Sequence, residues 1–262
     1  MASKYGEDAL VEQPAMSLLA ELGWRTLSGF DEHPGSGGPI GRGSFTETIL
    51  DERLRRAMRE VNPGCSDSAL DQAVEALTRD RSAMQPVRAN HDVWQLLRDG
   101  FPATVTDAEG NQQTERIQFI HWTASDRNEF VAINQFWVTG PLHRRRTDIV
   151  LFVNGIPLVL VELKASHRRA EDGYRENIRD YRDTIPQLFW SNGLVIVSNG
   201  SEAKVGASFA GWDHFTDWKK SKAKPRKGAS PSRQRCAPRA GPIACSTWSR
   251  TSPSSRSRPV VW

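Results

Sequence analysis

The chain is poor in cysteine: 262 residues hold three, Cys65, Cys236 and Cys245. Their wide spacing supplies neither a disulfide framework nor a zinc site. Long apolar runs are also missing. The run from Leu158 stops after about four residues, and none comes near the roughly 20 that a membrane span needs. Residues 1–10 carry charges and no apolar stretch, which argues against a secretory signal. The expectation is a soluble, reducing, cytoplasmic setting with no membrane partner. No G-x-x-x-x-G-K-[ST] phosphate loop occurs anywhere.

What is present suffices for one large domain or two small ones, since 38% of the residues are hydrophobic and 25% are charged. The net charge of +4 conceals a split. Residues 219–262 contain five Lys and seven Arg without any Asp or Glu, a balance of +12, so the remaining chain carries −8. Global basicity therefore gives no argument for nucleic-acid binding, and a local site is needed.

Along the chain, residues 17–24 read as a short amphipathic helix ending at Gly23. Residues 28–43 form a Gly/Pro-rich loop. Its Gly35, Gly37, Gly38 and Gly41 follow no expected strand, which speaks against a phosphate cradle. Ser44 is placed to cap a helix through Glu60, with Glu47 closing a capping box. Phe45, Ile49, Leu50, Leu54, Ala57, Met58 and Val61 supply its apolar stripe, and Asn62-Pro63-Gly64 stops it. Two more helices are expected at 67–79 and 86–98. From Arg116 the period changes, with β-type runs at 117–122, 133–138, 148–153, 156–164 and 194–198. A helix at about 170–185 lies between the last two. The body thus reads as a helical first part followed by a mixed α/β sheet with one crossover helix.

The chemistry is concentrated in 148–164, DIVLFVNGIPLVLVELK. Two apolar runs flank Asn154-Gly155, a strong hairpin signal. Runs this apolar are buried on both faces. Glu162 and Lys164, two apart at the strand end, share one face. A carboxylate in such surroundings must be paired or bind metal.

Register decides whether Asp148 joins them. A two-residue turn pairs 153 with 156, hence 148 with 161, and sends Asp148 to the other face. A three-residue loop with a bulge at Gly155 pairs 148 with 160 and sets Asp148 diagonal to Glu162, roughly 7–8 Å apart. The second register, or an equivalent irregularity, is the one that chemistry would require. Two carboxylates so placed could share a Mg²⁺ ion, and Lys164 could orient a water or stabilise developing charge. The plainer alternative is a solvated strand end with Asp148 capping a turn.

These stretches resemble the N-terminal nuclease domain of the motor (R, or HsdR) subunit of type I restriction enzymes. The resemblance runs from about residue 10 to Trp218. It is carried by Leu22-Gly23-Trp24, by 49–54 and 128–135, by the hairpin at 148–164, and by 185–189, 197–200 and 212–215. It implies a restriction-endonuclease-like fold of the PD-(D/E)xK class over residues 1–218, with its motif on Asp148, Glu162 and Lys164, the first two as metal ligands. Thr147 stands where that family usually has Pro, a conformational position outside the metal shell. The family's Gln-x-x-x-Tyr element reads Asn177-x-x-x-Tyr181 here, one methylene short. At four-residue spacing both share a helix face. They could support DNA or the metal, or Tyr181 could simply join Tyr174, Ile178 and Ile185 in a core stripe. Arg144, Arg145, Arg146, Arg168 and Arg169 could contact phosphates or form a solvated face. Glu47 and Glu52 are candidate additional acids, with capping or solvation as the alternative.

The resemblance further implies Mg²⁺ as cofactor, double-stranded DNA as substrate, and modification (M) and specificity (S) subunits as partners. ATP would serve only motor domains that this sequence does not contain. The alternatives are a catalytically silent docking module or a stand-alone repair nuclease. The Ser/Pro/Arg-rich tail, 219–262, reads as disordered, as a basic nucleic-acid-binding segment, or as an out-of-frame translation. One choice of codons for 245–255, shifted by a base, spells LLDLVENFTLF, similar to the family's path toward its motor.

Overall fold

In the computed structural model, residues 11–218 are described except for 36, 37, 107 and 108. The expectations for 1–10, for Gly37, for Cys236 and Cys245, and for the 219–262 tail therefore lie outside the described residues. The first helix, α1 (Gln13–Glu21), starts earlier than its apolar pattern suggested because Pro14 occupies the first turn, where its missing N–H costs nothing. Gly23, at φ +92°, then turns the chain into β1 (Arg25–Ser28). That four-residue strand had no counterpart in the expected pattern, and the loop glycines do follow a strand, Gly35 coming seven residues after Ser28.

The expected helix from Ser44 begins only at Asp51. Helix α2 spans Asp51–Val61, and the segment before it is drawn out by tertiary hydrogen bonds. Thr139 N donates to Phe45 O at 2.8 Å, and Leu50 N donates to Gly155 O at 2.9 Å. Ser44 and Glu47 still close a local turn, in which Gly43 N donates to Glu47 Oε2 at 2.9 Å. Helices α3 (Asp67–Thr78), capped by the Ser66 hydroxyl, and α4 (Pro86–Asp99) lie where periodicity placed them.

A separate hairpin, β2 (Phe101–Thr106) with β3 (Gln112–Ile117), packs on α3. The strand expected at 117–122 ends at Ile117. Beyond it side-chain amides capture the backbone: Gln118 N donates to Asn62 Oδ1 (2.7 Å) and His121 N to Asn128 Oδ1 (2.9 Å).

The main sheet contains β1, β4 (Phe130–Thr139), β5 (Arg144–Val153), β6 (Ile156–Leu163), β7 (Leu194–Ser198), β8 (Ala203–Ala207) and β9 (Thr216–Asp217), in the order β1-β4-β5-β6-β7-β8-β9. Pairing is antiparallel except for β1 with β4 and β6 with β7. The β6-to-β7 connection is the crossover helix: α5 (Ala170–Asp172), a π-turn (Gly173–Ile178) and α6 (Arg179–Thr184). Helices α1 to α4 cover one face over Leu151, Val159 and Val161, and the crossover helix covers the other over Val150, Phe152, Leu160 and Val195. Among the described residues, no helix is long and apolar enough to cross a membrane.

Candidate active site

The β5–β6 hairpin turns tightly at Asn154 (φ +53°) and Gly155 (φ +78°), with Val153 paired to Ile156. Both central residues are left-handed, as a type I′ turn requires. The buried Asn154 amide locks it by donating to Phe119 O at 2.9 Å and to Asn128 Oδ1 at 2.8 Å.

The three-residue loop is therefore not formed, and the irregularity lies one step further along. Phe152 pairs with Pro157, but Leu151 pairs with Val159. Pro157 has no N–H for the ladder, and a bulge is where a strand tolerates it. The shift runs in the opposite sense to the expected one. Continuing from Ile149↔Val161, it sets Asp148 directly opposite Glu162. The two carboxylates share a face, and it is the face under the crossover helix, as Val150 and Leu160 show.

A second irregularity lies across from Asp148 on β4. Asn134 pairs with Ile149 and Phe136 with Thr147, so Gln135 is level with Asp148, and its φ is +54°. Strand alternation slips phase there. Val131 and Ile133 precede it, Phe136 and Val138 follow it, and all four belong to the crossover-side core. The buried Glu12 carboxylate accepts from the side chains of both Asn134 and Gln135, holding this kink.

At the site itself, Asp148 Oδ2 accepts from Leu163 N at 2.7 Å, so its carboxylate replaces a ladder partner. Lys164 Nζ lies 3.5 Å from Glu162 Oε1 and donates to Asn177 Oδ1 at 2.8 Å. Asn177 Nδ2 donates to the Tyr181 hydroxyl at 3.3 Å, which donates in turn to Arg146 O at 3.1 Å. One hydrogen-bonded string thus joins both strands to the helix. The shorter Asn177 does reach Lys164. Tyr181 packs in the core stripe, and its hydroxyl joins the string.

Glu162 is fully buried, and its Oε2 has no hydrogen-bond partner. Burial, reinforced by the Asp148 charge and opposed by Lys164, pushes its pKa well above the usual carboxylate range. Burial and the Glu162 charge likewise raise the Tyr181 hydroxyl. An orphaned buried oxygen beside a second carboxylate fits a hard cation. Among the described residues, no group of three or more His, Cys, Asp or Glu is gathered as a metal cage. The donor set thus suits an ion that keeps several waters, such as Mg²⁺.

The remaining candidates divide. Arg145 is bound to Asp180 through Nε at 2.5 Å and Nη2 at 3.0 Å. Arg168 pairs with Glu176 at 2.6 Å and Arg169 with Glu171 at 3.3 Å. Arg144 and Arg146 stack on aromatic rings. Glu47 belongs to its local turn. Glu52 lies in the first turn of α2, which packs on Gly155 at the far end of β6 from Glu162. Two features escaped sequence reasoning: Gly173, which lets the helix approach Glu162, and the π-turn that contains Asn177. A glycine inside an expected helix was the available signal.

The family described as type I restriction enzyme R protein N terminus matches residues 4–222. The chain belongs to this family. It is 34% identical over 212 residues to the type I restriction enzyme HindI endonuclease subunit of Haemophilus influenzae, covering 80% of this chain and 20% of that protein. It is 28% identical over 222 residues to a putative type I restriction enzyme endonuclease subunit, MjaIXP, of Methanocaldococcus jannaschii, covering 83% and 21%. The R-protein domain described here thus spans about a fifth of the length of these relatives. Asp148 lies on β5, Glu162 on β6 with Lys164 just beyond its end, and Asn177 and Tyr181 on the crossover helix.

Proposed function

We propose that this R-protein domain is a Mg²⁺-dependent endonuclease that cleaves phosphodiester bonds of double-stranded DNA. The observation carrying the proposal is the pair of co-facial carboxylates, Asp148 and Glu162, with an unpartnered buried oxygen next to Lys164. Asp148 and Glu162 would hold the ion, which when bound polarises a phosphoryl oxygen and lowers the pKa of water.

The protein's own contribution is positional. Two of the three Lys164 N–H donors face Asn177 Oδ1 and Glu162 Oε1. The third remains for a phosphoryl oxygen or the attacking water, in a site dry enough for that bond to count. Asn177 and Tyr181 fix the ammonium by hydrogen bonds to Lys164 and to β5. In the assembled enzyme, cleavage would follow ATP-driven translocation by motor domains, alongside modification and specificity subunits in the cytoplasm. The names of the relatives, endonuclease subunits of type I restriction enzymes, support placing this domain in a multi-subunit restriction enzyme.

Nicking of supercoiled plasmid in Mg²⁺ by the full chain tests the proposal. The expected result is nicking by the wild type and loss of it in Glu162→Gln and Lys164→Met. Equal behaviour of wild type and variants would leave a catalytically silent docking module.

A further inference from the structure

Nothing so far explains how DNA would be held at the site. On β5, Arg144 and Arg146 alternate with Arg145, so they project away from the face on which Arg145 meets Asp180. Arg144 Cζ lies 3.8 Å from the Phe45 ring centroid and 4.3 Å from that of Trp137. Arg146 Cζ lies 5.3 Å from Trp137 and 5.5 Å from Phe30. The side chains thus form an alternating strip: Phe45, Arg144, Trp137, Arg146, Phe30.

Three properties make this more than a solvated charge run. Both arginines are exposed, and neither has a carboxylate partner among the described residues. A guanidinium held over aromatic rings by cation–π attraction keeps N–H donors for a phosphate. Arg146 is also two residues along β5 from Asp148, and its carbonyl holds the Tyr181 hydroxyl, while its side chain lies on the face of the sheet away from the crossover helix. Finally, the turn that joins β4 to β5 carries Leu142 next to these cations, and Leu142 is 87% exposed. Phe30, at the other end, is 58% exposed. A single exposed apolar side chain means little. Apolar tips at both ends of a row of uncompensated, stacked arginines match a phosphate backbone bordered by a groove, where such tips enter between base steps.

We propose that this strip seats duplex DNA. Arg144 and Arg146 would take phosphates of the duplex segment that runs along this face of the sheet, and Leu142 would enter the minor groove. Arg145 is excluded from this role and ties the helix to β5. The inference rests on the nuclease reading only for the identity of the polyanion.

Ultraviolet crosslinking of the full chain to a 5-iodouracil duplex, in EDTA, tests the proposal, with crosslinked peptides mapped by mass spectrometry. Crosslinks are expected at Phe30 or Trp137. They should weaken severalfold in Arg144→Gln/Arg146→Gln and in Leu142→Ser, a substitution too exposed to unfold the domain. Each arginine removed should also lower the salt slope of duplex binding by about one. Crosslinks confined to other segments, residues 219–262 included, would overturn the proposal. So would unchanged yields in the variants, or stronger crosslinking to single strands than to duplex. Because EDTA silences cleavage, a protein that crosslinks at the strip yet never nicks plasmid would sink the nuclease reading and leave this surface standing.

Discussion

Gly173 lies against Glu162: a Cβ on the glycine would stand 3.2 Å from Glu162 Cγ, 3.4 Å from Lys164 Cγ and 2.9 Å from Val197 Cγ1. Glycine inside a helix gives up about 1 kcal/mol relative to alanine. Here that loss lets the crossover helix settle onto the strand end. Four residues later, still within the π-turn, Asn177 meets Lys164. Single π-turns inside helices recur at functional sites, and this one holds Asn177, the side chain that binds the Lys164 ammonium.

Gly173→Ala should therefore destabilise the domain despite the better helix former. The contacts at Val197 and Glu162 must give way, and overpacking of this kind costs about 1–3 kcal/mol, more than the propensity gain. Urea unfolding measures it. An alanine variant more stable than wild type would show that the helix is free to shift.

Glu162→Gln should stabilise the metal-free protein above about pH 5. The folded-state pKa is raised, mainly by burial and then by Asp148, so the folded protein binds a proton more tightly than the unfolded chain. Stability from that proton is complete below the unfolded value of about 4.3 and is lost as pH rises toward the folded value. Glutamine removes the loss. At pH 8 in EDTA, its melting temperature should exceed that of wild type by a few degrees, and the gap should close near pH 4. A gap independent of pH would contradict this.

Asp180→Asn should act in the opposite sense. The Arg145 guanidinium holds the Asp180 carboxyl below its usual range, so its stabilisation is present at neutral pH and fades as pH falls through the lowered value. Both partners are about a third exposed, which limits the effect to below about 1 kcal/mol. Melting curves at pH 7 and pH 3 should show a small deficit at the first and a smaller one at the second. Duplex binding should be unaffected, unlike that of the Arg144 variant.

Much of this was legible in the residues. The runs that became β4, β5, β6 and β7 were visible because strands buried on both faces are nearly continuous in apolar residues. Helices α3 and α4 were placed at nearly their observed bounds, and in the structure the Ser66 hydroxyl caps the first and Pro86 opens the second. Spacing alone put Glu162 with Lys164 and Asn177 with Tyr181, while Asp148 joined them only through the family resemblance, because the hairpin register was open.

What escaped was set by distant partners. The four residues of β1 gain their strand character from β4, and β9 takes its from β8. Residues 44–50 carry a helical pattern, but the hydrogen bonds offered by Thr139 and Gly155 outweigh it. The hairpin register was the subtlest case. Asn154-Gly155 does form the tight turn that alone would have separated the carboxylates, and the bulge after Pro157 brings them back to one face.

The account stands or falls on whether Asp148 and Glu162 together hold a divalent ion. Calorimetric titration of the full chain with Mn²⁺, without DNA, measures this directly. The account expects binding in the wild type, weakened at least tenfold in Asp148→Ala and again in Glu162→Gln. Binding that is absent from the wild type, or unchanged in both variants, would contradict it.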